Sequence, residues 1–378
     1  MTTINPVKLS SVLVSKVPRA NSLGQTSDSP LINIYKIKRF NSSIFGPTLQ
    51  VWTTGCPYRC AMCWVSDEAL GIIEGEFLKE KLERLPAKLK EKSIGHRFRK
   101  DKEKLWGKLL ETVDEKIAKS IFEVLEEKLD SPLYNGLFSV EDVYKYVSTL
   151  ALKRNPIPTI VFSGGSPTMY QRSLFDFSTH ARDDNLKVGI ITEGFHIGQD
   201  TSFLDDFNGE ELQDTVNWAV TIKNVTPPSF NQLTGVPPNF YRHHFITLRE
   251  LLRNGFPTTT ILLANTFAIP KDLELANENN PVHILHDELS LSKDFPMLLI
   301  IDKVYYGSRV DDSERQRQKM AHRGYIDTRP GLVTDTISRH FKAKGTPLMD
   351  FTPQAPVMKK GRRIIEETIE TLNGGENG

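Results

Sequence analysis

Six short runs of apolar and β-branched residues, at 48–53, 159–163, 187–192, 218–222, 258–263 and 297–301, are spaced along the chain, with helix-patterned stretches between several of them. Strands that alternate with helices in this way pair in parallel, because each helix returns the chain to the starting edge before the next strand begins. One such helix is expected over 241–254, where Phe245, Leu248, Leu251 and Leu252 make an apolar stripe and Gly255 supplies a stop. A seventh run, 32–40, alternates apolar and polar residues as an edge strand does. Six β/α units are too few for an eightfold barrel. The expected fold is therefore α/β, a partial (β/α)6 TIM-type barrel over 31–307, with its chemistry at the C-terminal ends of the strands. Residues 1–30, rich in Ser, Asn, Thr and Pro, read as a flexible N-terminal arm, and 308–378 as a C-terminal extension whose stretch 359–372 has the pattern of a terminal helix.

All three cysteines fall within eight positions, in the stretch Trp52-Thr-Thr-Gly-Cys-Pro-Tyr-Arg-Cys-Ala-Met-Cys-Trp64, directly after the run 48–53. Structural cysteines scattered at random would rarely cluster so closely. A structural zinc site wants four ligands and commonly paired C-x2-C units; no fourth cysteine exists, and the nearest histidine, His96, lies in a charged segment. A disulfide framework belongs to small secreted chains with an even cysteine count. A cubane iron–sulfur cluster normally takes one protein ligand per iron, so Cys56, Cys60 and Cys63 on such a cluster leave one iron open. An open iron can hold a substrate or cofactor.

The spacing C-x3-C-x2-C resembles the signature of the radical S-adenosylmethionine (SAM) family, and the likeness can be followed from about residue 49 to 302. The resemblance implies a [4Fe-4S] cluster on Cys56, Cys60 and Cys63. It also implies S-adenosyl-L-methionine chelating the open iron, and a one-electron cleavage that releases a 5′-deoxyadenosyl radical, with the protein positioning and shielding that chemistry. Met62 stands where the family carries a bulky residue against the adenine. Ser163-Gly-Gly-Ser-Pro-Thr168 is similar to the family's glycine-glycine-glutamate-proline turn, so Gly164, Gly165 and Ser166 are expected against the amino group of SAM, with Ser166 in place of the acid. Ile191-Thr-Glu-Gly-Phe195 resembles a Thr-Asn-Gly segment. Thr192 is the expected SAM contact there, since a buried Glu193 near a carboxylate is costly unless paired or protonated. Lys223, followed by the Thr234-Gly235 turn, resembles the arrangement in glycyl-radical-enzyme activases and wyosine-forming tRNA enzymes, where such a lysine meets an anionic group; Thr221 replaces the Asp found two residues earlier. His243 and His244 are neighbours on a helix and point apart, so no shared site is expected of them. Tyr305, Tyr306 and Arg309 are weaker candidates for the substrate end.

An inserted helical segment is expected over 71–128. Its part from Lys79 to Lys108 carries 12 Lys or Arg against 5 Asp or Glu, within a chain whose 48 basic and 47 acidic residues nearly cancel. Such a stretch is either a solvated hairpin or a docking surface for an acidic protein or an RNA backbone, with His96-Arg-Phe-Arg-Lys100 as its test piece. Leu105, Leu109, Ile117 and Leu125 are expected to pack. Three substrate classes stay open: RNA, a partner protein activated through a glycyl radical, and a small molecule or peptide. A non-catalytic iron–sulfur protein is the alternative of another class. The low-potential electron is expected from a flavodoxin or ferredoxin. No run long enough for a membrane span and no secretory apolar core are read in the sequence, and the reduced thiols point to a cytoplasmic location.

Overall fold

The computed structural model describes residues 29–42, 44–58, 60, 63, 65, 69–70, 85–130, 136–152, 157–223, 227–263, 298–302 and 348–350. The run at 32–40 lies within a longer strand, β1 (Leu31–Ser42), which pairs antiparallel with β2 (Gly46–Thr53). Ser42 shapes the connection, its hydroxyl oxygen accepting the N–H groups of Ile44 and Phe45, both at 3.1 Å. On its other edge β1 pairs antiparallel with β3 (Leu137–Ser139).

From β2 onward every pairing is parallel, through β4 (Thr159–Gly164), β5 (Lys187–Thr192), β6 (Val216–Lys223), β7 (Thr258–Leu263), β8 (Leu298–Asp302) and β9 (Leu348–Asp350). Among the described residues the sheet order is β3-β1-β2-β4-β5-β6-β7-β8-β9, open at both ends, so these strands do not close a barrel. The six expected parallel strands are all present. A seventh, β9, lies within the stretch expected to be an extension and adds to the outer edge of β8.

Parallel strands are covered on both faces and read as continuous apolar runs. Val188 and Ile190 of β5 and Trp218, Val220 and Ile222 of β6 are accordingly buried. Among the described residues of the charged segment lie four helices, α1 (Ala87–Lys92), α2 (Ile94–Lys100), α3 (Lys102–Thr112) and α4 (Glu115–Asp130), while 71–84 lie outside the described residues. Ile117 of α4 does not pack as expected: it is 48% exposed, on a helix whose neighbours leave that turn uncovered. Leu105 and Leu109 are half-buried, and the side chain of Leu125 lies outside the described residues.

Beyond the insertion come α5 (Val140–Leu152) and α6 (Gln171–Asp183). Leu174, Phe177, Ser178 and Ala181 of α6 fall at helical spacing and are buried, with Phe177 edge-on to Phe162 of β4 at 4.8 Å. Two short helices follow, α7 (Phe195–Gln199) and α8 (Glu210–Gln213), then α9 (Pro227–Thr234). The predicted helix 241–254 is α10 (Arg242–Arg253), with the expected stripe buried. Gly255 ends it as read: it takes a left-handed φ of +74° and the Phe256 N–H reaches back to the Leu251 carbonyl at 3.0 Å. Among the described residues no helix is long and apolar enough to cross a membrane.

Candidate functional site

The cysteine loop leaves β2 at its C-terminal end, as expected of a site in a parallel sheet. Thr54 N–H donates to the Asn33 carbonyl at 3.1 Å and Gly55 N–H to that of Ala69 at 2.7 Å. Tyr58, fully buried two residues after Cys56, meets Phe195 and Phe230 edge-on with ring centres 5.9 and 5.6 Å away. That aromatic root ties the loop to α7 and α9, whose first and fourth residues those phenylalanines are. Cys56, Cys60 and Cys63 are half-buried, lie against the core and form no disulfide. Their loop is further shaped by Tyr58 N–H donating to Cys56 Sγ at 3.4 Å and Cys63 N–H donating to the Cys60 carbonyl at 3.0 Å.

The turn at the end of β4 is fastened directly to this loop. Gly165 N–H donates to the Thr53 carbonyl at 2.9 Å, and Ser166 N–H to the Gly55 carbonyl at 2.6 Å. The two glycines thus have a structural reason. Gly164 sits at φ +101°, and a Cβ on Gly165 would overlap the Gly55 carbonyl oxygen. What their missing side chains admit is the backbone of the cysteine loop itself. Tyr170 completes the seam, its hydroxyl donating to the Thr54 carbonyl at 3.1 Å.

A buried polar network then joins this turn to the end of β5. Ser166 Oγ donates to Glu193 Oε1 at 2.7 Å and lies 3.1 Å from Thr168 Oγ1. Thr168 Oγ1 is 3.0 Å from His196 Nδ1 and 3.4 Å from Thr192 Oγ1. Thr192 also accepts the Gly194 N–H at 3.0 Å, so its hydroxyl shapes the turn it stands in. Ser166, Thr168, Thr192 and Glu193 are all buried. Lys223 closes β6 half-buried. Its N–H donates to His244 Nε2 at 3.4 Å, while His244 Nδ1 donates to the Tyr241 carbonyl at 2.8 Å. His243 turns away from that pair to the ring of Phe240, 5.1 Å between centres, so the two histidines diverge as read.

Acidic groups accumulate in this corner. Burial above all raises the Cys56 thiol well above its usual pKa, and Glu193, Cys60 and Cys63 push the same way, opposed by the Tyr58 N–H. Burial likewise raises Glu193, against the Ser166 hydrogen bond, its own backbone N–H and the charge of Lys223. Burial alone lowers His196 to about 3, so its ring is neutral near pH 7. Among the described residues no three Cys, His, Asp or Glu side chains converge on one ion position. Three half-buried thiols on one short loop are soft donors of the kind that an iron–sulfur cluster takes.

Of the residues singled out from sequence, Cys56, Cys60, Cys63, Gly164, Gly165, Ser166 and Thr192 come together at the ends of β2, β4 and β5, with Lys223 at the end of β6 beside them. Met62, Tyr305, Tyr306 and Arg309 lie outside the described residues, as does the stretch 359–372. Sequence reasoning missed Tyr58 and His196. Tyr58 offered the signal of a large aromatic between two cysteines. His196 is the second residue of α7, just past the turn that ends β5, and so its ring returns to the same corner.

No family model matches this sequence, and no curated protein sequence does either. Partial likenesses among solved structures include SuiB of Streptococcus suis bound to S-adenosylmethionine, at 12% identity and a TM-score of 0.36, covering 58% of this chain and 44% of that one. A second structure of Streptococcus suis SuiB matches at 11% identity and a TM-score of 0.36, covering 86% of this chain and 73% of that one. TYW1 with a lysine–pyruvate adduct bound matches at 13% and 0.30, covering 72% and 73%. This chain thus spans under half of the SAM-bound SuiB chain.

Proposed function

We propose that this protein is a radical SAM enzyme on a partial (β/α)6-type barrel, with Cys56, Cys60 and Cys63 holding a [4Fe-4S] cluster and SAM lying across the strand ends. The observation that carries this reading is the seam between the cysteine loop and the glycine turn. A three-cysteine loop and a Gly164–Gly165 turn, separated by about a hundred residues, are fastened backbone to backbone at the C-terminal edge of a parallel sheet. When bound, the cluster and SAM supply a 5′-deoxyadenosyl radical for hydrogen abstraction from carbon. The chain's own residues do the rest. Tyr58 roots the cysteine loop, Ser166 and Thr192 present hydroxyl groups beside it, Lys223 offers a positive charge at the next strand end, and the apolar packing of Phe195 and Phe230 shields the loop from water. A flavodoxin or ferredoxin is the electron donor that this chemistry calls for.

Anaerobic reconstitution followed by dithionite and SAM should yield 5′-deoxyadenosine, and a Cys60→Ala variant should yield none. Cleavage that persists without Cys60 would overturn the assignment, and a reconstituted native protein that leaves SAM intact would favour a non-catalytic iron–sulfur protein. For the substrate, the exposure of His96, Arg99 and Lys100 on the basic helix α2 favours an RNA over a small molecule, by the same radical chemistry.

A further inference from the structure

Ser166 brings no charge to the turn where a ligand's ammonium would be received, yet a carboxylate lies beside it. Glu193, on the neighbouring strand end, is 5% exposed and accepts the Ser166 hydroxyl at 2.7 Å. Its donors among the described residues are that hydroxyl and its own backbone N–H, whereas a carboxylate has about four acceptor positions. The cation acting on it is Lys223, which works through space and makes no direct ion pair with it among the described residues. A buried carboxylate with acceptor capacity to spare is costly until a cation arrives. The chain keeps it in the one corner where the cysteine loop, the β4 turn and the β5 end meet.

We infer that Glu193 is the anionic anchor for the α-ammonium group of the bound amino-acid-bearing cofactor, and that Ser166 is a positioning residue that aims its carboxylate. The negative charge of the site has moved from the β4 turn to the β5 end, bridged by one hydroxyl. With Lys223 at the β6 end, the same edge presents an anion and a separate cation, the complement of an α-amino-acid zwitterion. The inference rests on the proposed function, and its test separates the two.

Equilibrium binding to the anaerobically reconstituted protein, in the absence of reductant, should compare SAM with its analogue lacking the α-amino group. The native protein should prefer SAM. Glu193→Gln should weaken SAM binding about 10- to 100-fold, the range for a hydrogen bond to a charged group, while changing the affinity for the des-amino analogue little. Ser166→Ala, which keeps the charge but frees the carboxylate, should lose part of that preference. Native protein that binds both ligands equally, or a folded Glu193→Gln variant that keeps the full preference, overturns this inference and leaves the proposed function standing. Native protein that binds neither ligand overturns both. Should the glutamine variant not fold, the native comparison together with Ser166→Ala decides: an unchanged preference in Ser166→Ala removes the positioning role and the inference with it.

Discussion

Single residues at the seam decide how closely two loops can approach. At Gly165 the backbone of Gly55 occupies the space of a Cβ, and the obstructing atom is a carbonyl oxygen that cannot swing aside as a side-chain tip would. Gly165→Ala must therefore part the cysteine loop from the β4 turn, breaking the hydrogen bonds from Gly165 to Thr53 and from Ser166 to Gly55. The expected loss is about 3 kcal/mol or more in unfolding free energy, with reduced iron retention after reconstitution. Gly107 gives the contrasting case. It lies inside α3 with open space around its missing Cβ, so Gly107→Ala should stabilise by up to about 1 kcal/mol through helix propensity. Urea titration and iron analysis of both variants check the pair, and equal effects would refute the contrast. The cysteine spacing and the Gly-Gly pair could be read from sequence because each is a contiguous motif. The Ser166–Glu193 bond could not, since it joins residues 27 apart whose meeting depends on the register of β4 against β5.

Elements divide in the same way between those with a sequence pattern and those without. The six parallel strands announced themselves as β-branched runs, and α10 as a stripe with a glycine stop. β3 and β9, at three residues each, are too short to show any periodicity and exist because a neighbouring strand edge accepts them. Ile117 misled because helical spacing marks a face without saying whether anything covers it. The charged helices α1 to α4 are the element whose purpose most needs a measurement. If α2 and its neighbours grip an RNA backbone, binding of bulk tRNA should weaken steeply with salt. Each phosphate neutralised adds about 0.7 to 0.9 to the magnitude of the log–log slope, so four contacts give a slope of about −3. An Arg99→Glu, Lys100→Glu double variant should flatten that slope. A slope near zero in the native protein would point instead to a protein or small-molecule substrate.

At the scale of the whole molecule, three buried histidines, His196 on α7 and His243 and His244 on α10, link acid to unfolding. Burial lowers His196 and His244 to about 3 and His243 to about 4, below the ordinary value of about 6.5. His244 shows why the neutral form is needed: its Nδ1 donates to Tyr241, so its Nε2 must stay bare to accept the Lys223 N–H. In the unfolded chain these rings take up protons near pH 6.5, whereas in the folded protein they do so only near 3 to 4. Between those limits the unfolded state binds more protons, so stability is fully present above about pH 6.5 and is lost as pH falls through the window. Each ring contributes a slope of about 1.4 kcal/mol per pH unit once the unfolded form is mostly protonated. Glu193 works in the opposite direction, because its raised pKa lets the folded state bind a proton first, and it offsets part of one histidine's effect. The urea midpoint should therefore hold nearly level from pH 8 to 7 and fall steeply between pH 6 and 5. His243→Gln should flatten that fall by about 1 kcal/mol per pH unit without abolishing it, since His196 and His244 still titrate. A midpoint that stays level down to pH 5 in the native protein would mean that these rings accept protons without unfolding, and that the junctions they make at α7 and β6 tolerate the added charge.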